Sequence, residues 1–98
     1  MCVVRDVFDC KPGHSKPISE RFKKSFPLMK KMKGIVSARI LVDYVASYWT
    51  VVLETEVENL DDFERQMNEY SASPEFREAM KGYMDEVDGG HREIFKIV

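Results

Sequence analysis

Two neighbouring segments in the middle of the chain alternate apolar and polar side chains with the two-residue period of a half-buried β-strand. The first runs from Ile35 to Asp43 and the second from Trp49 to Val57. Because only Tyr44 to Ser47 separates them, we predict an antiparallel hairpin. A sheet with one apolar face has to be covered, so the rest of the chain must supply a second layer.

The segments before this hairpin predict a strand and a helix. Met1–Asp9 is rich in Val and Phe and is typical of a strand, and a Pro-Gly turn follows it. We expect Ser15 to cap the next helix, Pro27 to kink it, and Gly34 to stand just past its end. The apolar positions at helical spacing are Ile18, Phe22, Phe26, Met29 and Met32.

The segments after the hairpin predict a second, interrupted helix and a final strand. Asn59 can cap this helix, the segment Ser71–Ser73 interrupts it, and a serine-proline pair restarts it. We expect the restarted part to stop at Gly89-Gly90 and the last strand to run from His91 to Val98. The apolar positions are Leu60, Phe63, Met67, Tyr70, Phe76, Met80, Tyr83, Met84 and Val87.

The order β-α-β-β-α-β predicts a ferredoxin-like α+β fold, with an antiparallel four-stranded sheet and both helices on one face. At 98 residues the chain has the length of one domain, which we expect to span residues 1–98. The other sheet face is left uncovered and carries Leu41 and Val52 beside Arg39, Thr50 and Glu54. It is too apolar for solvent and too charged for a core, so we predict a homodimer in which a second copy covers it.

Charge and composition narrow the classes of partner. The 15 basic and 17 acidic residues are nearly balanced, so nucleic acid is not an expected partner. No apolar run approaches the roughly 20 residues that span a bilayer, so no membrane partner is expected and we predict a cytoplasmic protein.

The cysteines and the other chemically reactive residues form no recognisable binding motif. Cys2 and Cys10 lie about 26 Å apart on one extended strand, since each residue adds about 3.3 Å, and that is too far for a disulfide. The sequence has neither metal-ligand spacing nor a Gly-rich phosphate-binding loop. We therefore expect neither a metal nor a cofactor.

Four short segments carry a resemblance to a known family. They are Val4-Arg5-Asp6-Val7-Phe8 running into Lys11-Pro12-Gly13, then Ala38-Arg39-Ile40, Phe63-Glu64, and Arg92-Glu93-Ile94-Phe95. In them, and over nearly its whole length, the chain resembles the dimeric α/β barrel superfamily of antibiotic-biosynthesis monooxygenases, NIPSNAP-like proteins and stress-responsive barrel proteins. None of the segments is a catalytic signature. The resemblance implies a dimer in which two sheets pack face to face, with a ligand held between sheet and helices.

The resemblance also implies candidate activities. Several members act on aromatic or polyketide-like compounds without metal or flavin, which makes a cofactor-independent monooxygenase the candidate enzyme. Other members degrade haem with an Asn, a Trp and a helical His. This chain has Trp49, but its second helix contains no histidine, so haem degradation is not expected.

Two other function classes stay open. The turn Asp9-Cys10-Lys11-Pro12-Gly13 resembles the Asp-x-Pro-Gly turn of small regulatory amino-acid-binding domains with the same element order, which bind their ligand at this turn. Against that interpretation, the helix after the turn is rich in lysine. A non-catalytic interaction protein is the third class.

Five residues are candidates for contacting a small organic ligand. Arg5, Arg39 and Glu54 are charges on a sheet that we expect to be covered, so they either pair with each other or hold a ligand. The predicted hairpin puts Arg39 opposite Val52 and diagonal to Glu54. The remaining candidates are Thr50 on the same face and His14, a loop histidine suited to acid-base chemistry near neutral pH.

Overall fold

The structure is a computed structural model that describes residues 1–98. Its elements are β1 (Cys2–Cys10), α1 (Ser15–Met29), β2 (Ile35–Val42), β3 (Thr50–Val57), α2 (Leu60–Ser71), α3 (Pro74–Ala79), a 3₁₀ turn (Tyr83–Asp85) and β4 (Val87–Lys96). The four strands form one sheet in the order β2-β3-β1-β4, and all neighbours are antiparallel. The predicted ferredoxin-like α+β fold is confirmed. None of the helices has both the length and the apolar composition needed to cross a membrane.

The helices pack on one face of the sheet, which we call the helix side; the other is the open face. Alternation along β3 sends Val51, Leu53 and Val57 to the helix side, where they are buried. They meet the predicted apolar stripe of α1, of which Ile18 and Phe22 are buried. The two-residue and 3.6-residue periods therefore identify the core correctly.

Helix α1 begins and ends differently from the prediction. His14 occupies the N-cap position and makes no capping hydrogen bond with its side chain, while Ser15 is already the first helical residue. The helix stops at Met29, two residues beyond Pro27, because the proline interrupts the hydrogen bonding of the last turn. Gly34 does not cap it and instead takes a left-handed conformation, with φ of +87°, just before β2.

The hairpin between β2 and β3 has a longer loop and a different register from those predicted. Arg39 lies directly opposite Glu54, and Leu41 lies opposite Val52. The prediction that Arg39 lies opposite Val52 is therefore wrong. The register of the hairpin differs by two residues from the predicted one, because the strands stop at Val42 and resume at Thr50. A shift of two residues keeps each side chain on its predicted face.

A β-bulge at the start of β2 turns Ile35, and not Val36, towards the core. The register shifts between Ile35 and Ser37, so that Ile35 pairs with Val57 and packs with the helix-side cluster. Strict two-residue alternation would place Val36 on the same face as Ile40, but Val36 is 48% exposed. The extra residue of the bulge turns the alternation over at this point, which strict two-residue periodicity does not anticipate.

The caps of the second helical region are confirmed. The Asn59 side chain accepts a hydrogen bond from the Asp62 backbone N–H at 3.0 Å. Ser73 caps α3 in the same way, with Pro74 at the first helical position. The interruption between α2 and α3 falls at Ala72 and Ser73, as the sequence predicts.

The chain after α3 departs from the prediction. The helix ends at Ala79 instead of continuing to the glycine pair, because Gly82 takes a left-handed conformation with φ of +85°. Val87 then opens β4, so Gly89 and Gly90 lie inside a strand rather than ending a helix. A Cβ at Gly90 would lie 2.4 Å from the Val7 carbonyl oxygen, so the close approach of β1 explains the glycine.

A partly buried ion pair fastens α1 to the segment before β4. Arg21 donates from Nε and Nη2 to the Glu86 carboxylate at 3.0 and 2.9 Å, and the two side chains are 23% and 15% exposed. The hydrogen bonds from Arg21 hold the pKa of Glu86 below its ordinary value. Because the folded-state pKa is depressed, the pair stabilises the fold above the unfolded-state pKa, and this is lost as pH falls through the folded-state value.

We therefore expect Glu86→Gln to lower the free energy of unfolding at neutral pH and to flatten its acid dependence. Between about pH 5 and pH 3 the wild type should lose more stability than the variant. Urea denaturation at a series of pH values measures both effects, with Glu58→Gln, at an exposed carboxylate, as the control. Parallel pH profiles for wild type and Glu86→Gln would contradict this account of the pair.

Candidate functional site

A large concavity lies on the helix side, between the first half of α1, the end of β2 and the β2–β3 loop. It has a volume of about 630 Å³, and we call it the Trp49 cleft. Ile40 and Val42 line it from β2, Ser19 lines it from α1, and Tyr48 and Trp49 line it from the loop. A small organic molecule fits this space, since ligand pockets usually measure about 300–1,000 Å³.

Hydrogen bonds hold Trp49 in an unusual backbone conformation at the cleft. Its φ is +62°, a left-handed value that a bulky side chain rarely adopts. The Trp49 carbonyl accepts a hydrogen bond from the Cys10 N–H at 2.8 Å, and the next N–H, of Thr50, donates to the Asp43 carboxylate at 2.9 Å. The strained backbone is thus held on both sides of Trp49, which directs its side chain towards the cleft wall.

The charges around the cleft include one lysine and one carboxylate that make no salt bridge. Glu20 accepts a salt bridge from Lys23 at 3.4 Å, and the Asp43 carboxylate already accepts the Thr50 N–H. Lys16 also lines the cleft and makes no salt bridge. An apolar wall with one free ammonium group suits a small molecule that has both an apolar part and an anionic group.

The open face carries a row of alternating charges across all four strands. In register, Arg39 on β2 pairs with Glu54 on β3, Glu54 with Arg5 on β1, and Arg5 with Glu93 on β4. Arg39 binds Glu54 tightly, at 2.8 Å from Nε and 2.6 Å from Nη2. The contacts of Arg5 are looser, at 3.5 Å to Glu54 and 3.9 Å to Glu93. We call these four residues the charge ladder.

Arg5 is the member of the charge ladder whose guanidinium group makes the weakest contacts within the single chain. Its Nε lies 3.5 Å from Glu54 Oε2 and makes no hydrogen bond of good geometry, while the side chain as a whole is 34% exposed. An additional acceptor could therefore strengthen the contacts of this guanidinium group. The register also shows that Arg5 lies on the open face of β1, because it is directly opposite Glu54.

The structure brings together three of the five sequence-predicted ligand residues. Arg5, Arg39 and Glu54 lie in the charge ladder. Thr50 begins β3 on the same face but is separated from the ladder by the row that contains Val52, and its hydroxyl donates to the Ser47 carbonyl at 2.7 Å. His14 lies apart, at the N-cap of α1 on the helix side, with a buried Nδ1 that has no partner. A ligand-binding role for these five residues stays a prediction.

The residues of the Trp49 cleft were not among the sequence-based candidates. Alternation along the segment Trp49 to Val57 would place Trp49 on the same face as Val51, whereas the structure places it in the loop before β3, where it is 42% exposed. One signal was present in the sequence. The polar residues Lys16, Glu20 and Lys23 recur at helical spacing, and they mark the stripe of α1 that borders the cleft.

Two buried titratable groups near the core have structural roles. Burial raises the pKa of the Cys10 thiol above its ordinary value, so the thiol stays protonated and is a poor nucleophile at neutral pH. Burial also raises the pKa of Tyr70, whose hydroxyl donates to the Ser25 carbonyl at 3.3 Å. Neither group lines the cleft.

Comparison with known proteins finds similar folds among solved structures. No protein-family model matches the sequence, and no curated protein matches it at a significant level. A NIPSNAP-like domain protein from Burkholderia xenovorans superposes with a TM-score of 0.82 at 17% identity, covering 99% of this chain and 84% of that one. A proposed antibiotic-biosynthesis monooxygenase from Nitrosomonas europaea superposes with a TM-score of 0.77 at 12% identity, covering 100% and 99%. Another, from Deinococcus radiodurans, gives a TM-score of 0.73 at 11% identity, covering 100% and 93%.

At these identities the similarity shows the fold. It confirms the resemblance inferred from the sequence at that level, because both kinds of structure, NIPSNAP-like and monooxygenase-like, align over almost the whole chain.

Proposed function

We propose that this protein is a homodimer in which each chain binds a small organic molecule in the Trp49 cleft. The observation that carries the proposal is the cleft itself, with its apolar floor, its fixed indole and its unpaired Lys16 ammonium. In this proposal Lys16, and not Arg39, is the partner of the ligand's anionic group, because Arg39 lies on the opposite face of the sheet.

The uncovered face of the sheet supports the homodimer. Leu41, Val52 and Val7 pair across three strands and form an apolar row directly beside the charge ladder. Phe95 is half-exposed on the other side of the ladder, opposite Val3. A face with apolar side chains on both sides of a set of ion pairs is suited to burial against a second protein surface.

An oxygenase activity is the enzymatic form of this proposal. Its support is the fold shared with two proposed antibiotic-biosynthesis monooxygenases. The chain's own groups would position the substrate and stabilise a substrate anion, which are contributions that need no group beyond Lys16 and the cleft walls. Oxygen uptake in the presence of any compound that binds would test this form separately from binding.

The amino-acid-binding alternative concerns the same place in the fold. The turn Asp9 to Gly13 leads into α1, and Gly13 borders the cleft. The class of molecule that binds therefore separates the two alternatives, since both use one site.

A thermal-shift screen tests the proposal with three probe sets: hydroxylated anthraquinones, aromatic carboxylates and the free amino acids. A compound that binds only the folded state adds about 2.7 kcal/mol to the free energy of unfolding at 100 times its dissociation constant. We expect stabilisation by members of the first two sets. Stabilisation by amino acids alone would replace the proposal with the regulatory alternative, and no stabilisation by any set would contradict it.

Filling the cleft should remove this stabilisation. Val42 lines the cleft and is 58% exposed, so Val42→Phe adds bulk there without disturbing the core. Val36 is a matched control, because it lies on the same strand, is 48% exposed and does not line the cleft. We expect Val42→Phe to weaken binding of the best anthraquinone or carboxylate by about tenfold or more, and Val36→Phe to leave it unchanged. Equal binding by both variants would place the ligand elsewhere.

A further inference from the structure

The outer face of α1 is strongly basic, although the chain as a whole is slightly acidic. Residues 11–33 hold eight of the 15 basic side chains and only one of the 17 acidic ones, Glu20. The exposed basic residues on this face and just beyond its end are Lys16, Lys23, Lys24, Lys30 and Lys31. Only Lys23 among them makes a salt bridge, with Glu20. The proposed ligand of the cleft needs one ammonium group, so most of this positive charge has no assigned role.

Three of these lysines lie along one edge of the helix, on the side of the edge strand β2. Lys16, Lys23 and Lys30 are seven residues apart, which is almost two helical turns, and Lys30 keeps helical backbone angles at the C-cap. Lys16 and Lys23 border the Trp49 cleft together with residues of β2. The other side of α1 faces the segment before β4, because Arg21 binds Glu86 there. We call the three lysines the basic edge.

The acidic side chains are concentrated at the opposite edge of the sheet. Helices α2 and α3 together carry six carboxylates and two arginines. Glu64 of α2 borders a concavity together with Arg92 of β4, so α2 lies towards the β4 edge. The molecule therefore has a positive β2 side and a negative β4 side, and a negatively charged surface would orient it with the basic edge inwards.

The β2–β3 loop presents exposed apolar and aromatic side chains beside the basic edge. We call it the aromatic loop, after its exposed residues Tyr44, Val45, Tyr48 and Trp49. Tyr48 and Trp49 border the same cleft as Lys16 and Lys23, so the loop and the basic edge share one side of the molecule. Hydrogen bonds between Asp43 and Thr50 close the base of the loop. Exposed apolar side chains that are grouped and held in place indicate a binding surface.

We infer that the basic edge and the aromatic loop together dock this protein on an anionic lipid bilayer. Tyrosine and tryptophan favour the zone between headgroups and acyl chains, where Val45 at the loop can also be buried. Each lysine near an anionic membrane surface favours binding by about fivefold. A surface of lysines without arginine suits diffuse negative charge better than nucleic acid, which the planar guanidinium group recognises.

This inference is independent of the ligand and the homodimer proposed above. A surface contact needs no spanning segment, so the inference replaces the sequence-based expectation that the protein has no membrane partner. The two carboxylates that border the cleft do not oppose it strongly, because Glu20 is paired with Lys23 and Asp43 accepts the Thr50 N–H.

Cosedimentation with vesicles tests the basic edge. We expect wild type to bind vesicles of equal parts phosphatidylcholine and phosphatidylserine at low ionic strength, to bind phosphatidylcholine alone far more weakly, and to dissociate as salt is added. Lys23→Glu/Lys30→Glu should lower the partition coefficient by at least about tenfold. The control Lys81→Glu/Lys96→Glu changes the net charge equally at two exposed lysines outside this surface and should stay within about twofold of wild type.

The aromatic loop is tested by a second pair of variants and by the emission of Trp49. Tyr44→Ser/Val45→Ser should lower the partition coefficient by about fivefold or more, and Met84→Ser/Val98→Ser, at two exposed apolar residues elsewhere, should not. Vesicle binding should also move the emission of the single tryptophan to shorter wavelength. Circular dichroism checks that each variant folds, and the wild-type emission retains the test if one does not.

Three results would overturn the inference. The first is a wild type that does not bind phosphatidylserine vesicles at low ionic strength, including one that binds a single-stranded oligonucleotide instead. The second is an equal loss of binding in the two charge-reversed variants, which would mean that net charge and not the basic edge is responsible. The third is vesicle binding that neither the loop variant nor the Trp49 emission registers.

Discussion

Val52→Arg should convert the proposed dimer into monomers that remain folded. Val52 lies at the centre of the open face, directly opposite Leu41 on β2 and Val7 on β1. An arginine there lies diagonal to Arg5 and Arg39 on one side, with Glu54 and Asp9 as the nearby carboxylates, and it is much larger than the valine that it replaces. Burying this bulk and charge in a close-packed interface commonly costs several kcal/mol, so the dimer dissociation constant should rise by at least about 100-fold.

Sedimentation equilibrium of wild type and variant at the same micromolar concentration measures this effect. The control is Met84→Arg, which places the same charge on an exposed apolar residue of the 3₁₀ turn before β4. Urea denaturation of the monomeric variant shows whether the single chain keeps its fold, as expected for an arginine that can extend its charged end to solvent. Unchanged association of Val52→Arg would mean that the open face is not the interface.

Gly90→Ala should destabilise the single chain far more than Gly89→Ala does. A Cβ at position 90 would lie 2.4 Å from the Val7 carbonyl oxygen, which belongs to the backbone of the neighbouring central strand. A Cβ at position 89 meets nothing within 4 Å. Because β1 is held on both sides by other strands, it cannot move away cheaply, and we expect a loss of about 2–4 kcal/mol at Gly90.

The adjacent glycine supplies the matched comparison for this prediction. Gly89→Ala changes the same residue type in the same strand, so its effect on the unfolded chain is the same. The difference between the two free energies of unfolding, obtained from urea titrations, isolates the contact with β1. Similar values for the two variants would show that the register of β1 and β4 differs from the one described.

The sequence predicts the element order and the core because these depend on periodicity, which every residue of a segment reinforces. Asn59 and Ser73 are recognised as caps because a cap is a local device that needs no distant partner. The predictions fail where contact with a backbone segment distant in the sequence determines the local structure. The glycine pair does not end a helix, because position 90 must be a glycine to let β1 approach closely. Val36 points outward because a β-bulge interrupts the pairing of β2 with β3.

The same distinction explains what could be predicted of the candidate site. Arg39 and Glu54 are correctly placed on one face, since an error of two residues in register does not change the face of a strand. The Trp49 cleft could not be predicted, because it exists only through the long β2–β3 loop and the left-handed conformation of Trp49. A loop conformation fixed by hydrogen bonds to Cys10 and Asp43 leaves no periodic trace in the sequence.

The most direct test of ligand binding in the cleft uses the indole N–H resonance of Trp49. The chain has one tryptophan, so this resonance is identified in a ¹H–¹⁵N correlation spectrum without further assignment. During titration with the most stabilising anthraquinone or aromatic carboxylate, we expect the resonance to shift and saturate with the ligand. In Val42→Phe the shift should need about tenfold more compound, as the loss of affinity requires. A compound that stabilises the fold but leaves the indole resonance unmoved throughout the titration would contradict binding in the Trp49 cleft.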